Sequence, residues 1–341
     1  KFYFLILAGL LSSQIFASHI KGGEIYYDYS SGTTYDVYLL LYRDVTGIPL
    51  PSSTALNVAG HQTINSVTAT AVSSKFSQLG CGASVEVKLY KATVNVGALP
   101  AAGITFYWAE CCRTSTISNL SGVASSIYFD ALMKPVAGTT VASSSPRFYS
   151  PANLAGIPSV SNAFNTTAFD PNPSDSVYVE LVSARDNSTL NVTYATGFNY
   201  SNPFGTAPGI STTIDHATGA MSVQGASTGA FVVATRVSSY TNGVLSSTMT
   251  RDAMYYLVSS SDPVPSTSVS NVVTGGTVSS SANAYFIEIA SSDTVEFNVT
   301  GLVTSLDTLT LAGFGSALTN NSGNGGNCVG ANCATFTPTG A

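Results

Sequence analysis

The sequence predicts an all-β protein built from tandem β-sandwich domains. Short stretches of alternating apolar and polar residues recur along the 341-residue chain, and Gly, Asn, Asp, Ser and Pro bound them. Val and Thr are frequent in these stretches and fit a pleated, half-buried surface. No convincing amphipathic helix longer than a turn or two interrupts the pattern, so the elements below are predicted as strands.

Residues 1–17 have the features of an export signal. Lys1 is followed by an apolar or small run from Phe2 to Leu11, and Ala17 offers a small residue at the cleavage position. The run is shorter than the roughly 20 apolar residues of a membrane-spanning helix. We predict a cleaved signal peptide and a mature chain that begins at Ser18 outside the cytoplasm. An uncleaved anchor or a buried strand is the alternative.

Residues 18–142 are predicted to form an N-terminal β-sandwich domain. Ser30-Ser31-Gly32 separates two alternating stretches and indicates a hairpin. The predicted strands are Gly23–Tyr29, Thr34–Arg43, Ser84–Thr93 and Gly103–Cys112.

Residues 143–262 are predicted to form a second β-sandwich. A composition break between Pro135 and Pro146 sets its start. Asn242-Gly243 predicts a type I′ hairpin turn, because such a turn needs positive φ at both central residues. The predicted strands are Ser176–Ser183, Thr189–Thr196, Ser211–Asp215, Gly219–Gln224, Gly229–Tyr240 and Val244–Ser259.

Residues 263–341 are predicted to be a partial third domain. The two prolines of Ser259–Ser266 indicate an interdomain linker, since proline denies backbone donors to a central strand. The predicted strands are Ala284–Ala290, Thr294–Val299, Ser305–Ala312 and Ala334–Thr337. A sandwich of this kind has about seven strands, so we expect further chain after residue 341.

Composition excludes some classes of function. Only 9% of the residues are charged, against roughly 25% in ordinary soluble domains, so hydroxyls and amides must supply solubility. The net charge is −6 with 12 Lys plus Arg, which leaves no basic stripe for nucleic acid. We predict no nucleic-acid partner.

The five cysteines are predicted to form disulfides, as in exported chains. Cys328 and Cys333 close a short Gly-rich loop and are the predicted pair. Cys81 can pair with Cys111 or Cys112, which leaves one odd thiol. A zinc site would need further close ligands, and the three histidines lie far apart in sequence.

Asp170, Asn172 and Asp175 place three oxygen ligands close together in one loop. Calcium needs six to eight oxygens, so these residues would form part of a calcium site. A loop capped by its own side chains is the alternative and the preferred interpretation. We predict no other cofactor.

Two further motifs have a structural interpretation. Asp215 and His216 begin a turn whose Gly219 supplies the left-handed residue, and a Ser-His-Asp triad is rejected because neighbours in a turn cannot adopt triad geometry. Arg113 can pair with Glu110 at the surface, where an ion pair contributes little. No catalytic residue is predicted.

Four runs resemble one family. They are SHIKGGEIYYDY with YDVYLLLYRDVTGIPLP, then WAECCRTSTISNL, then FDPNPSDSVYVELV with the Ile-Asp-x-x-Thr-Gly turn at Ile214–Gly219, and VATRVSSYTNGVLSSTMTRD. Together they are similar to the N-terminal part of large secreted surface proteins of Bacteroidota, of the gliding-motility-associated or adhesin-like kind. The turn itself resembles that of cadherin-like repeats. Relatives usually have Cys where this chain has Val45, so the resemblance leaves the partner of the adjacent cysteines open.

The resemblance implies noncatalytic Ig-like, cadherin-like or PKD-like modules. It also implies that the protein is exported and held at the outer-membrane surface by a C-terminal sorting domain, which this sequence lacks. We expect a secreted, adhesive or structural role in attachment or gliding motility, with surface glycans or proteins as partners. The alternatives are a carbohydrate-binding or ancillary module of a larger secreted enzyme and a self-assembling filament subunit. Candidate sugar platforms are Tyr26, Tyr27, Tyr29, Tyr35, Tyr38 and Tyr42, at least half of which alternation places in the core.

Overall fold

The computed structural model confirms the all-β prediction. It describes residues 20–78, 84–111, 113, 117–121, 126–149, 151–152 and 155–259, together with the backbone of five strands between residues 266 and 336. Large antiparallel sheets dominate the described residues. None of these residues belongs to a helix with the length and hydropathy of a membrane span.

The described strands are numbered in chain order. The strands before residue 143 are β1 (Ile20–Ser31), β2 (Thr34–Asp44), β3 (Ser53–Ala59), β4 (Ser66–Gln78), β5 (Ser84–Asn95), β6 (Ile104–Glu110) and β7 (Ile127–Met133). Those up to residue 259 are β8 (Arg147–Phe148), β9 (Ala155–Gly156), β10 (Asn162–Asn165), β11 (Ala168–Phe169), β12 (Ser176–Val182), β13 (Ser211–Ile214), β14 (Ala220–Gln224), β15 (Gly229–Thr241) and β16 (Val244–Leu257). The last five are β17 (Ser266–Val273), β18 (Thr277–Ser281), β19 (Ala284–Glu288), β20 (Glu296–Leu302) and β21 (Cys333–Phe336).

Eight strands form a closed circuit of antiparallel pairs. Its order is β1, β2, β5, β4, β3, β6, β7 and β16, and β16 pairs again with β1. The first β16 segment, Ser247–Met249, pairs with β7, and the next, Arg251–Ala253, pairs with β1. β15 lies along the other edge of β16, and β12 follows β15. One sheet therefore contains strands from both sides of the predicted boundary after residue 142.

Two large apolar clusters and a third, small one around Val232 fill the described architecture. Alternate residues of the eight strands point into the circuit and form the larger cluster, which contains Tyr27, Phe106 and Phe129. The second cluster contains residues of β14, β15 and β16 together with Leu40 and Tyr42 of β2. These two side chains lie on the face of β2 that points away from the larger cluster. Since residues from both sides of position 142 make up each of the two large clusters, the predicted division there does not coincide with a break in the core.

Turns were predicted more accurately than strands. Asn242 and Gly243 have φ of 51° and 78°, which confirms the predicted type of hairpin turn between β15 and β16. The predicted strand Thr189–Thr196 is wrong: this segment makes only isolated bridges, at Asn191 and Tyr194. The predicted strands include no counterpart of β3, β4, β7 to β11, β17 or β18. The predicted strand Ser305–Ala312 lies outside the described residues.

Gly22 and Gly23 allow β1 to approach its neighbours closely. A Cβ atom at Gly22 would lie 2.7 Å from Cα of Ala253 in β16. At Gly23 it would lie 2.6 Å from the carbonyl oxygen of Leu40 and would overlap the ring of Phe129. The two adjacent glycines are therefore required where β1 packs against β16 and β7.

We expect Gly23→Ala to lower the free energy of unfolding by about 1–3 kcal/mol, because the backbone carbonyl of Leu40 cannot move aside as a flexible side chain would. Urea denaturation followed by the emission of Trp108, the sole tryptophan, measures this change. Ser31→Ala, at the exposed end of the same hairpin, is the control and should change stability by less than about 0.5 kcal/mol. Equal effects of the two substitutions would contradict the close approach.

Candidate functional site

A polar groove of about 500 Å³ lies across five neighbouring strands, β6, β7, β16, β15 and β12. Its floor contains a cross-strand row in which Thr250 of β16 pairs with Arg236 of β15, which pairs with Glu180 of β12. On the other side of Thr250 lies Asp130 of β7, whose Oδ1 accepts a hydrogen bond of 3.2 Å from the Thr250 hydroxyl. Because successive residues of a strand alternate between faces, each of the five strands directs at least one polar residue into the groove.

Two ion pairs fix the charged side chains of the groove. Arg185 Nη2 lies 2.5 Å from Asp130 Oδ1, and Arg236 Nη2 lies 2.7 Å from Glu180 Oε1. Arg236 Nε donates a second bond of 3.0 Å to the same Glu180 oxygen. The two cations and two anions leave these four side chains without net charge, and each holds its partner in place.

The segment from Ser183 to Tyr200 contributes the remaining residues of the groove. Ser183, Arg185, Asn191 and Tyr200 line it. The Arg185 guanidinium lies 4.5 Å from the centroid of the Tyr128 ring, and burial, followed by the charge of Asp130, raises the pKa of that phenol. Tyr200 is 49% exposed. The groove therefore combines fixed polar side chains with an accessible aromatic surface.

A buried ion pair supports this segment. Arg113 donates from Nη1 and Nη2 to the two carboxylate oxygens of Asp252, at 2.7 and 2.6 Å. Arg113 also donates to the carbonyls of Ser126 and Arg185, at 2.9 and 3.4 Å. Asp252 is fully buried and Arg113 nearly so. The predicted surface pair of Arg113 with Glu110 is therefore wrong, because a guanidinium buried in this way needs a buried carboxylate.

The predicted calcium residues form a capped loop. Asp170 Oδ1 accepts from the Asn172 amide at 2.8 Å, and its Oδ2 accepts from the Ser239 hydroxyl at 2.6 Å. Asn172 Oδ1 accepts from the Ser174 hydroxyl at 2.9 Å, and Asp175 Oδ2 from the Thr241 hydroxyl at 2.9 Å. Among the residues that the structure describes, no three His, Cys, Asp or Glu side chains are grouped as metal ligands. Calcium binding at this loop stays a prediction.

The Asp170 carboxyl makes stability depend on pH. Burial raises its pKa, although the Ser239 hydroxyl and the Asn172 amide oppose the shift. Between the unfolded pKa of about 3.9 and the raised folded value, the folded state binds more protons than the unfolded state. The contribution of this carboxyl to the free energy of unfolding therefore falls as the pH rises. We expect the free energy of unfolding of Asp170→Asn to rise relative to that of the wild type when the pH of a urea denaturation is raised from about 3 to about 7.

A difference between the two proteins that stays constant over this pH range would contradict a raised pKa at Asp170. Calcium chloride in the same experiment tests the metal prediction. Calcium that binds this carboxylate would stabilise the wild type and leave Asp170→Asn unchanged.

Most of the predicted disulfide cysteines lie outside the described residues. Cys81, Cys112 and Cys328 lie outside them altogether, and only the backbone of Cys333 is described, in β21. Cys111 is exposed and disulfide-bonded. The structure describes the side chain of no other cysteine, so both predicted pairings stay predictions.

Three of the six tyrosines that were sugar-platform candidates, Tyr27, Tyr35 and Tyr42, are buried in the two cores. Tyr26 and Tyr38 stack on each other with centroids 4.9 Å apart, and the guanidinium of Arg147 lies 5.5 Å from the Tyr26 ring. Tyr29 is 46% exposed. The groove uses a different tyrosine, Tyr200, which the sequence did not single out.

The turn at Asp215 adopts the predicted structure. Asp215 Oδ1 accepts from the amides of Ala217 and Thr218 at 2.9 and 3.0 Å, and Gly219 has a φ of 80°. His216 Nδ1 donates to the Val179 carbonyl at 2.7 Å, and the Val179 amide donates to the His216 carbonyl at 2.8 Å. His216 therefore covers part of the outer edge of β12.

Comparisons with protein-family models, curated proteins and solved structures found no match.

Proposed function

We propose that this chain is a noncatalytic extracellular surface protein that uses the groove to hold a partner in attachment or gliding. The observation that carries the proposal is the row of paired, fixed polar side chains across four of the strands that line the groove. Side chains that already hold each other in place lose little conformational freedom when a ligand binds, which favours binding.

The type of domain, export and retention at the cell surface are parts of the same proposal. An Ig-like or cadherin-like character is supported by the strand alternation and by the turn at Asp215–Gly219, within one sheet that β16 continues across residue 142. Export is supported by the leader in residues 1–17 and by the low charged fraction. Retention at the outer-membrane surface through a sorting domain rests on the resemblance to Bacteroidota surface proteins.

Beads coated with the purified protein test the adhesive role. We expect them to be retained under flow on at least one surface among agarose, mucin and collagen, above the level of albumin-coated beads. Tyr200→Ala combined with Arg236→Gln should abolish that retention, since both side chains line the groove. Retention no greater than that of albumin beads on every surface would contradict the proposal, as would an efficient hydrolytic activity that one point mutation abolishes.

A carbohydrate-binding or ancillary module of a larger secreted enzyme is the second candidate, because the polar groove suits that role equally well. A catalytic domain in the same reading frame would favour it. For the third candidate, a filament subunit, strand addition at β12 would have to displace the two hydrogen bonds between Val179 and His216. Light scattering that shows concentration-dependent growth would support assembly.

A further inference from the structure

We propose that the groove binds a short linear glycan of neutral sugars. This inference rests on the proposed binding function and names the chemical class of the ligand. Three features of the groove carry it: its balanced charge, its hydroxyl and amide groups, and the exposed ring of Tyr200.

Balanced charge argues against an ionic ligand. Asp130 and Glu180 are each paired with an arginine, at 2.5 and 2.7 Å. A phosphate, sulfate or uronate would have to draw Arg185 or Arg236 away from its carboxylate, and a cation would have to displace an arginine. A neutral ligand can bind while both ion pairs remain intact.

The paired side chains keep hydrogen-bonding capacity that sugar hydroxyls can use. A guanidinium has five N–H donors, and the pair of Arg236 with Glu180 uses only its Nε and Nη2 groups. A carboxylate has about four lone-pair sites, so Glu180 can accept further bonds. Since a sugar hydroxyl both donates and accepts, it can bridge a guanidinium and a carboxylate side by side.

Hydroxyl and amide side chains extend this polar surface along the floor. Thr105 and Thr248 lie on the floor of the groove, and Asn191 adds an amide beside it. Five strands at a spacing of about 4.8 Å span about 19 Å, so the floor is elongated across the sheet. An elongated floor with hydrogen-bonding groups at strand intervals suits a chain of sugar units better than a single compact ligand.

Tyr200 supplies the apolar contact that sugar rings need. Tyr200 lines the groove and the residue is 49% exposed, so it is accessible to the C–H face of a sugar. A volume of about 500 Å³ lies within the range of about 300–1,000 Å³ that small-ligand sites occupy. The groove therefore provides both the polar and the apolar part of sugar recognition.

Isothermal titration of the full chain tests this inference with neutral hexasaccharides of β-1,4-glucose, α-1,4-glucose, β-1,4-mannose, β-1,4-xylose and N-acetylglucosamine, and with oligogalacturonate as the charged comparison. We expect binding of at least one neutral hexasaccharide. Its affinity should be nearly unchanged when NaCl is raised from about 0.05 to about 0.5 M, because no ionic attraction to the ligand is screened.

Matched variants test whether the ligand binds in the groove. Tyr200→Ala should weaken binding about tenfold, whereas Tyr149→Ala should not, since Tyr149 has a similar exposure of 45% and lies outside the groove. Arg236→Gln should also weaken binding, and the exposure of this ion pair means that the fold is retained.

The inference would be overturned if no neutral hexasaccharide binds, if only oligogalacturonate binds, or if Tyr200→Ala and Tyr149→Ala have equal effects. Bead retention on collagen that requires Tyr200 and Arg236 would also overturn it, because the ligand would then be a protein. In that case the proposed adhesive function would stand while the glycan assignment failed.

Discussion

Replacing Asp252 with alanine is expected to lower the free energy of unfolding by about 3–5 kcal/mol. Asp252 is fully buried and forms two charge-assisted hydrogen bonds with Arg113, whose side chain is only 2% exposed. The substitution would leave a buried guanidinium without its carboxylate, and desolvation of that charge would no longer be offset. Urea denaturation followed by Trp108 emission measures the change.

Two controls separate this mechanism from a general effect of removing charge. Glu180→Ala removes one partner of an ion pair whose side chains are 31% and 44% exposed, so it should cost no more than about 1 kcal/mol. The double variant Arg113→Met with Asp252→Leu removes both buried charges and should recover much of the stability. A loss for Asp252→Ala no larger than that for Glu180→Ala would contradict the role of the buried pair.

A second buried pair stands next to the first in the same strand. Arg251 of β16 contacts the Glu24 carboxylate of β1, and its guanidinium lies 3.6 Å from the centroid of the Phe148 ring. Glu24 and Arg251 are also direct cross-strand partners. Arg251 and Asp252 are thus neighbours in β16 that form ion pairs on opposite faces of the strand. Arg251 connects β16 to Glu24 of β1, and Asp252 connects it to Arg113.

Local patterns in the sequence were sufficient for the fold class and for the turns. Asn242-Gly243 and Asp215–Gly219 are specified by their own residues, because positive φ and side-chain acceptors are local requirements. β3 and β4 were missed since Ser, Thr and Ala replace large apolar residues at many of their positions. Their pairing partners, and not their own hydropathy, place them in the circuit.

The groove could not be predicted, because its parts are far apart in sequence. Asp130 and Arg185 are separated by 55 positions, and Arg113 and Asp252 by 139. No periodic pattern relates such residues, and only the pairing of β16 with β7 and β1 brings them together. The charges of Arg236 and Glu180 were visible in the sequence, but their common row depends on the register of β12 with β15.

Separating the chain after residue 142 is expected to abolish folding of the N-terminal part. Residues 18–142 contain β1 to β7 and lack β16, the strand that completes the circuit between β7 and β1. Without it, the paired edges of both strands are open and Glu24 loses its buried partner. An open edge of this kind exposes unpaired backbone groups and leads to aggregation.

The same separation would divide the groove. Thr105 and Asp130 belong to β6 and β7, whereas Arg236 and Glu180 belong to β15 and β12. The proposed ligand site therefore exists only if both parts of the chain form one sheet. This continuity also decides whether the predicted boundary near residue 143 separates independent domains.

Equilibrium unfolding of two fragments, residues 18–142 and residues 18–259, followed by Trp108 emission, tests whether both parts of the chain form one folding unit. The longer fragment contains every strand of the circuit together with β15 and β12, and we expect it to unfold in a cooperative transition. The shorter fragment contains the same tryptophan, and we expect it to show no cooperative transition. A cooperative transition of residues 18–142 with the same free energy of unfolding as the longer fragment would contradict this expectation.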